Sequence, residues 1–189
     1  MSHDPAAALA ESVRHLIDAT IRTLADEETI TAARHQIDAI TTRLTADAIP
    51  GWYGVQHGDG MPPAAGNVVI GARNAIAVPL TVEQRDDGGV VTDFTLGAGY
   101  EGPAGHVHGG ICALILDHVL GAAVHQPGRP AVTGTLTVRY RRPTPLGRPL
   151  RAEARIRDSE GSKTFVEGSI SHGGDVTVEA DGIFLFPKR

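Results

Sequence analysis

The chain of 189 residues is 41% hydrophobic and 21% charged, a globular composition that excludes wholesale disorder or a fibrous repeat and gives one domain with a real core plus room for one extra element. Its net charge of −5 argues against a general nucleic-acid binder, and its one cysteine, Cys112, excludes an intramolecular disulfide or a thiolate zinc cluster and favours a reducing compartment. The N-terminal residues mix acids and bases into their apolar positions, unlike a signal peptide, and no run approaches the about 18 apolar residues of a membrane span. The expectation is a cytoplasmic protein with no membrane span and no nucleic-acid partner.

From Ala6 to about Leu24, Leu9, Val13, Leu16, Ile17 and Ile21 fall at helical spacings, with Asp4 as N-cap and Pro5 at the first helical position. A second helical pattern runs from Asp26 to about Asp47, with Ile30, Ile37, Ile40 and Leu44 on one side. These helices form an extension, residues 1–49, expected to pack on the main domain or on a second subunit. Residues 50–79 are rich in glycine and proline and read as an irregular linker, with Trp52 and Tyr53 as aromatics that anchor it or line a pocket, anchoring being the commoner role.

From Leu80 the period becomes two. LTVEQR and VVTDFTL flank Asp86-Asp87-Gly88-Gly89, a β-hairpin with an Asp-Gly turn. After the apolar segment Gly105–Ala123 come four strand-like runs, at 131–142, 149–158, 164–171 and 176–186, separated by Pro/Gly turns. Residues 80–189 therefore read β-β-α-β-β-β-β, a mostly antiparallel meander around one helix that is apolar nearly all round. A curved antiparallel sheet wrapped around one central helix is the hotdog fold, class α+β, here with an N-terminal helical extension.

The helical segment, GHVHGGICALILDHVLGAA, carries the chemistry. Gly109 and Gly110 stand at its expected N-terminus, where backbone N–H groups lack intrahelical partners and the helix dipole is positive, a place for a developing oxyanion. Asp117 lies seven residues beyond Gly110, on nearly the same face but roughly 10.5 Å along the axis. Both cannot touch one carbonyl from a single chain; if both act, a second copy brings its Asp117 to the first copy's Gly110 in a two-fold dimer with shared sites. The spacing also permits a turn glycine pair and an Asp paired with His118. His106 and His108 form H-x-H, but no third or fourth ligand accompanies them, so no metal is expected. Cys112 has apolar neighbours and reads as a buried structural thiol.

The chain resembles the hotdog-fold acyl-CoA thioesterases of the PaaI-like type. The likeness rests on HGG-x6-D, here His108-Gly109-Gly110 and Asp117, and on the strand end Y-x-R-P-x-P-L at Tyr140, Arg142, Pro143, Pro145 and Leu146. It spans roughly residues 74–186. It implies Gly109 and Gly110 as the backbone that polarises a thioester carbonyl, His108 as a shaping or binding residue, Asp117 as general base or nucleophile, and Thr133 as the residue positioning water or carboxylate. It also implies an acyl-CoA substrate, medium- or long-chain, in fatty acid metabolism, with no cofactor, and assembly as a homodimer or dimer of dimers. Arg141, Arg142 and His106 are candidate substrate-binding residues, since the CoA phosphates need cations. Two alternatives stand beside hydrolysis: a hotdog-fold enoyl-thioester hydratase or dehydratase using a histidine with Asp117, and a non-catalytic acyl-CoA-binding module.

Overall fold

The computed structural model describes residues 4–51, 63–78, 80–125 and 131–186, in two compact units, Met1–Ala77 and Val78–Arg189. Trp52 and Tyr53 lie outside the described residues. In the first unit, α1 spans Pro5–Arg22 and α2 Glu27–Thr45. Asp4 caps α1 by accepting from the Ala6 amide at 3.0 Å and pairs with Arg73 at 3.2 Å; the amide first and the guanidinium second hold its carboxyl below the usual range. Asp26 caps α2 through the Thr29 amide, 2.8 Å away. No residue of α2 is buried, and Ile30, Ile40 and Leu44 of its apolar stripe are exposed.

The second unit holds β1 (Glu83–Gln84), β2 (Val90–Phe94), α3 (Gly109–Ala123), β3 (Val132–Tyr140), β4 (Leu150–Glu160), β5 (Lys163–His172) and β6 (Asp175–Leu185). The six strands form one sheet in the order β1-β2-β4-β5-β6-β3, and every neighbouring pair is antiparallel. Strands β4 to β6 form a meander, as the short turns between them lead one to expect. β3 departs from it by pairing with β6 at the sheet edge. Its link to β4 contains Pro143, Pro145 and Pro149, which lack the amide donors of a tight hairpin; the link instead runs along the entry to α3, where the Val107 amide donates to the Thr144 carbonyl at 2.9 Å and the Leu146 amide to Gly105 at 3.0 Å.

Helix α3 lies on one face of the sheet, touching β2 through β6. It buries Cys112, Ile115, Leu116, Val119 and Leu120 against inward residues such as Ala152, Ala154, Ile170, Val178 and Phe184. The close approach needs two glycines: a Cβ at Gly168 or Gly182 would stand 2.6 or 2.8 Å from the Leu120 methyl carbons, inside any tolerable contact. This is the hotdog architecture, class α+β. Covering is one-sided, however. Ile111, Leu114, Asp117 and His118 on the other side of α3 are only half-buried, and the edge strand leaves Val132 50% and Tyr140 56% exposed. The sheet wraps the helix from one side, as expected of this fold, and leaves the opposite side of α3 partly open.

Candidate active site

The segment before α3 is built by a turn and then fastened from both sides. Gly105 adopts φ +73°, a conformation that side-chain-bearing residues rarely take, and its amide donates to Glu101 Oε1 at 2.7 Å. The His108 amide donates to the Tyr100 carbonyl at 2.9 Å. His108 is the N-cap of α3, and its Nδ1 accepts from the Gly110 amide at 3.0 Å. The acceptor role leaves the proton of the neutral ring on Nε2. The His108 carbonyl accepts from the Ile111 amide at 2.9 Å and the Cys112 amide at 3.3 Å. In the first turn, the Gly109 N–H is thus the donor with no partner among the described residues, at the positive end of the helix dipole.

Two turns further on, Asp117 Oδ1 accepts from Thr133 Oγ1 at 2.9 Å, which leaves Oδ2 unengaged by that hydroxyl. The carboxylate is half-buried rather than sealed in the core. Eight residues of helix separate it from Gly109, roughly 12 Å along the axis. Its neighbour His118 is partly buried, and desolvation pushes its pKa below the ordinary value of 6.5 against the opposing attraction of Asp117.

The remaining candidates lie elsewhere. His106 Nδ1 bonds the Ala104 carbonyl at 2.8 Å, which requires a proton on that nitrogen, so His106 and His108 each serve local backbone. Arg141 pairs with Glu179 at 2.8 Å and Arg142 with Asp175 at 2.9 Å, both in the exposed lattice of ion pairs on the sheet that also joins Arg155 to Glu167 at 2.6 Å and Arg151 to Asp93 at 2.7 Å. Among the described residues no three His, Cys, Asp or Glu side chains gather as a metal-holding group, and no helix is long and apolar enough to cross a membrane.

Two features escaped the sequence reading. Tyr140 at the end of β3 donates its hydroxyl to the Gly109 carbonyl at 2.9 Å. A buried chain of side-chain hydrogen bonds runs from Cys112 Sγ to Thr144 Oγ1 (3.8 Å), on to Thr177 Oγ1 (2.9 Å) and then to the Ile170 carbonyl (3.2 Å); burial pushes the Cys112 thiol up. The two halves of the motif, HGG and Y-x-R-P-x-P-L, are thus stitched together in space, and their co-occurrence was the available signal.

Residues 104–179 match the model of the thioesterase superfamily. A solved protein described as a member of that superfamily aligns with 32% identity and a TM-score of 0.86, covering 97% of this chain and 92% of that one. This chain belongs to the thioesterase superfamily. The family model takes in His108, Gly109, Gly110, Asp117, Thr133 and Tyr140, and the solved member's alignment extends over the N-terminal unit as well. Acyl-coenzyme A thioesterase THEM4 of Xenopus laevis is 35% identical over 96 residues, 50% of this chain and 43% of that protein, so the chain spans less than half the length of this curated relative. A Bacillus halodurans protein solved with CoA shares the fold at 23% identity and a TM-score of 0.56, covering 88% of this chain and 98% of that one.

Proposed function

We propose that this chain is an acyl-CoA thioesterase that hydrolyses its substrate to the free acid and CoA. The observation that carries the reading is the pairing, on one helix, of an N-terminal amide with no partner among the described residues and a carboxylate held by a threonine hydroxyl. The THEM4 relatives and the CoA bound to the Bacillus halodurans protein support it. A thioester is already activated toward attack, so one oxyanion donor and one carboxylate suffice without a triad.

In this mechanism the Gly109 amide meets the thioester carbonyl oxygen, while the Gly110 amide stays with His108. Asp117, oriented by Thr133, takes a proton from water as the water oxygen adds to the carbonyl carbon, or attacks through Oδ2 to give an anhydride that water then opens. The negative charge of the tetrahedral intermediate falls on the oxygen facing Gly109. Collapse breaks the C–S bond, and the CoA sulfur leaves and takes up a proton. Because roughly 12 Å separates the two groups in one chain, the site is proposed to form between two copies, Gly109 from one and Asp117 from its mate. Within one chain the partner of Asp117 Oδ1 is a threonine hydroxyl, the arrangement that the hydrolytic mechanism uses. Any CoA contact by Arg141 or Arg142 would use guanidinium N–H groups not engaged by Glu179 or Asp175, or compete with those carboxylates.

The test follows free CoA with a thiol reagent, using acyl-CoAs from acetyl to palmitoyl and aryl thioesters. Wild type releases CoA from at least one; Asp117→Asn, with circular dichroism unchanged, releases none above background. Undiminished turnover by that variant sinks the assignment of Asp117.

A further inference from the structure

Two glycines in succession begin α3, where backbone freedom is greatest, yet an oxyanion donor must be aimed before the charge develops. The peptide unit joining Gly109 to Gly110 is held at both ends. Its N–H is clasped by His108 Nδ1 at 3.0 Å, and its C=O receives the Tyr140 hydroxyl at 2.9 Å. The Tyr140 ring also lies against Gly109: a Cβ there would stand 3.2 Å from ring atoms Cε1 and Cζ and 3.3 Å from the hydroxyl oxygen. Tyr140 is itself anchored by its register with Val178 of β6, and the Arg141 and Arg142 amides that follow it both donate to the Thr177 carbonyl, at 2.8 and 3.1 Å.

We propose that Tyr140 is the positioning residue of the thioester-carbonyl site, pinning the Gly109–Gly110 peptide so that the Gly109 amide points where the oxyanion forms. The proposal rests on the thioesterase reading. It gives a reason for glycine at 109: a side chain there would crowd the ring that holds the turn. It also gives a reason for a hydroxyl at 140, where a phenylalanine would satisfy the strand equally well. At 56% exposure Tyr140 contributes little to the core, so its contacts with Gly109 can be removed with little loss of stability.

The test is Tyr140→Phe in the full chain. Expected is a fall in kcat of roughly three- to tenfold, the effect of one ordinary hydrogen bond, with KM within about twofold, an unmoved Tm, and shifted 15N–H resonances of Gly109 and Gly110. Tyr140→Leu removes the ring as well and lowers kcat further. Gly109→Ala, which crowds the ring in wild type, lowers kcat by a smaller factor in the Tyr140→Leu background. Wild-type kcat in Tyr140→Phe overturns the proposal, as does a loss of kcat that follows Tm while both glycine resonances stay in place. Failure of the thioesterase reading is distinct: wild type then releases no CoA from any acyl-CoA, while the glycine resonances, recorded without substrate, still report whether Tyr140 pins the peptide.

Discussion

Thr133 stands sixteen residues beyond Asp117 and reaches it from the edge strand rather than from the helix, donating its hydroxyl to Oδ1 at 2.9 Å, so the carboxylate is held by an element other than its own. Replacing Thr133 by valine keeps the shape and removes the donor. Expected is a drop in kcat of roughly three- to tenfold, recovered by Thr133→Ser, measured as CoA release at saturating substrate with Tm as control. Next along the helix, His118 titrates lower in the folded chain than its ordinary 6.5 because burial disfavours its charged form. The unfolded chain therefore binds the proton more readily, and folding stability falls as pH drops through about 6.5 toward the folded value. Urea unfolding between pH 7.5 and 5 should show this slope in wild type and a shallower one in His118→Gln; equal slopes would remove His118 as its source.

At the scale of elements, the fold depends on α3 seating close to the sheet. Leu120 is fully buried and lies over Gly168 and Gly182. Leu120→Ala leaves a cavity that the surrounding strands cannot close, with an expected loss of about 2–4 kcal/mol in urea unfolding. Gly168→Val errs in the other direction by placing atoms where the Leu120 methyl groups are, and should destabilise through overpacking. Local signals made these elements legible: Asp4-Pro5 marks the start of α1, period-two alternation marks β4 and β6, and the Asp-Gly turn joins β1 to β2. The strand order was not legible in the same way, because nothing within residues 132–140 says that β6 rather than β4 is their neighbour. The candidate site was legible where its residues are compact along the chain, as in His108-Gly109-Gly110 and Asp117. It was illegible where contacts join distant residues, as between Tyr140 and Gly109 or along Cys112, Thr144 and Thr177. The histidine cap is an intermediate case: the residue stood out, but that its ring occupies the Gly110 amide and leaves Gly109's free depends on backbone geometry.

For the whole molecule, the half-buried side of α3 and the exposed edge strand lie on the same part of the second unit as the proposed chemistry. A second copy seated there would cover Ile111 and Leu114 and could close the roughly 12 Å gap between Gly109 and Asp117. Shared sites make a prediction that no single-chain site can imitate. Asp117→Asn and Gly109→Val are each expected to be inactive while folded. When the two are mixed in equal amounts and allowed to re-pair, half of the dimers contain one of each. In such a dimer one site combines both defects, whereas the other combines the intact Asp117 of one chain with the intact Gly109 of the other. Activity should return to about a quarter of wild type, measured as CoA release per chain after re-pairing from mild urea. A mixture that re-pairs, as shown by exchange of differently tagged chains, yet stays inactive would place both groups of each site in one chain and rule out the shared arrangement.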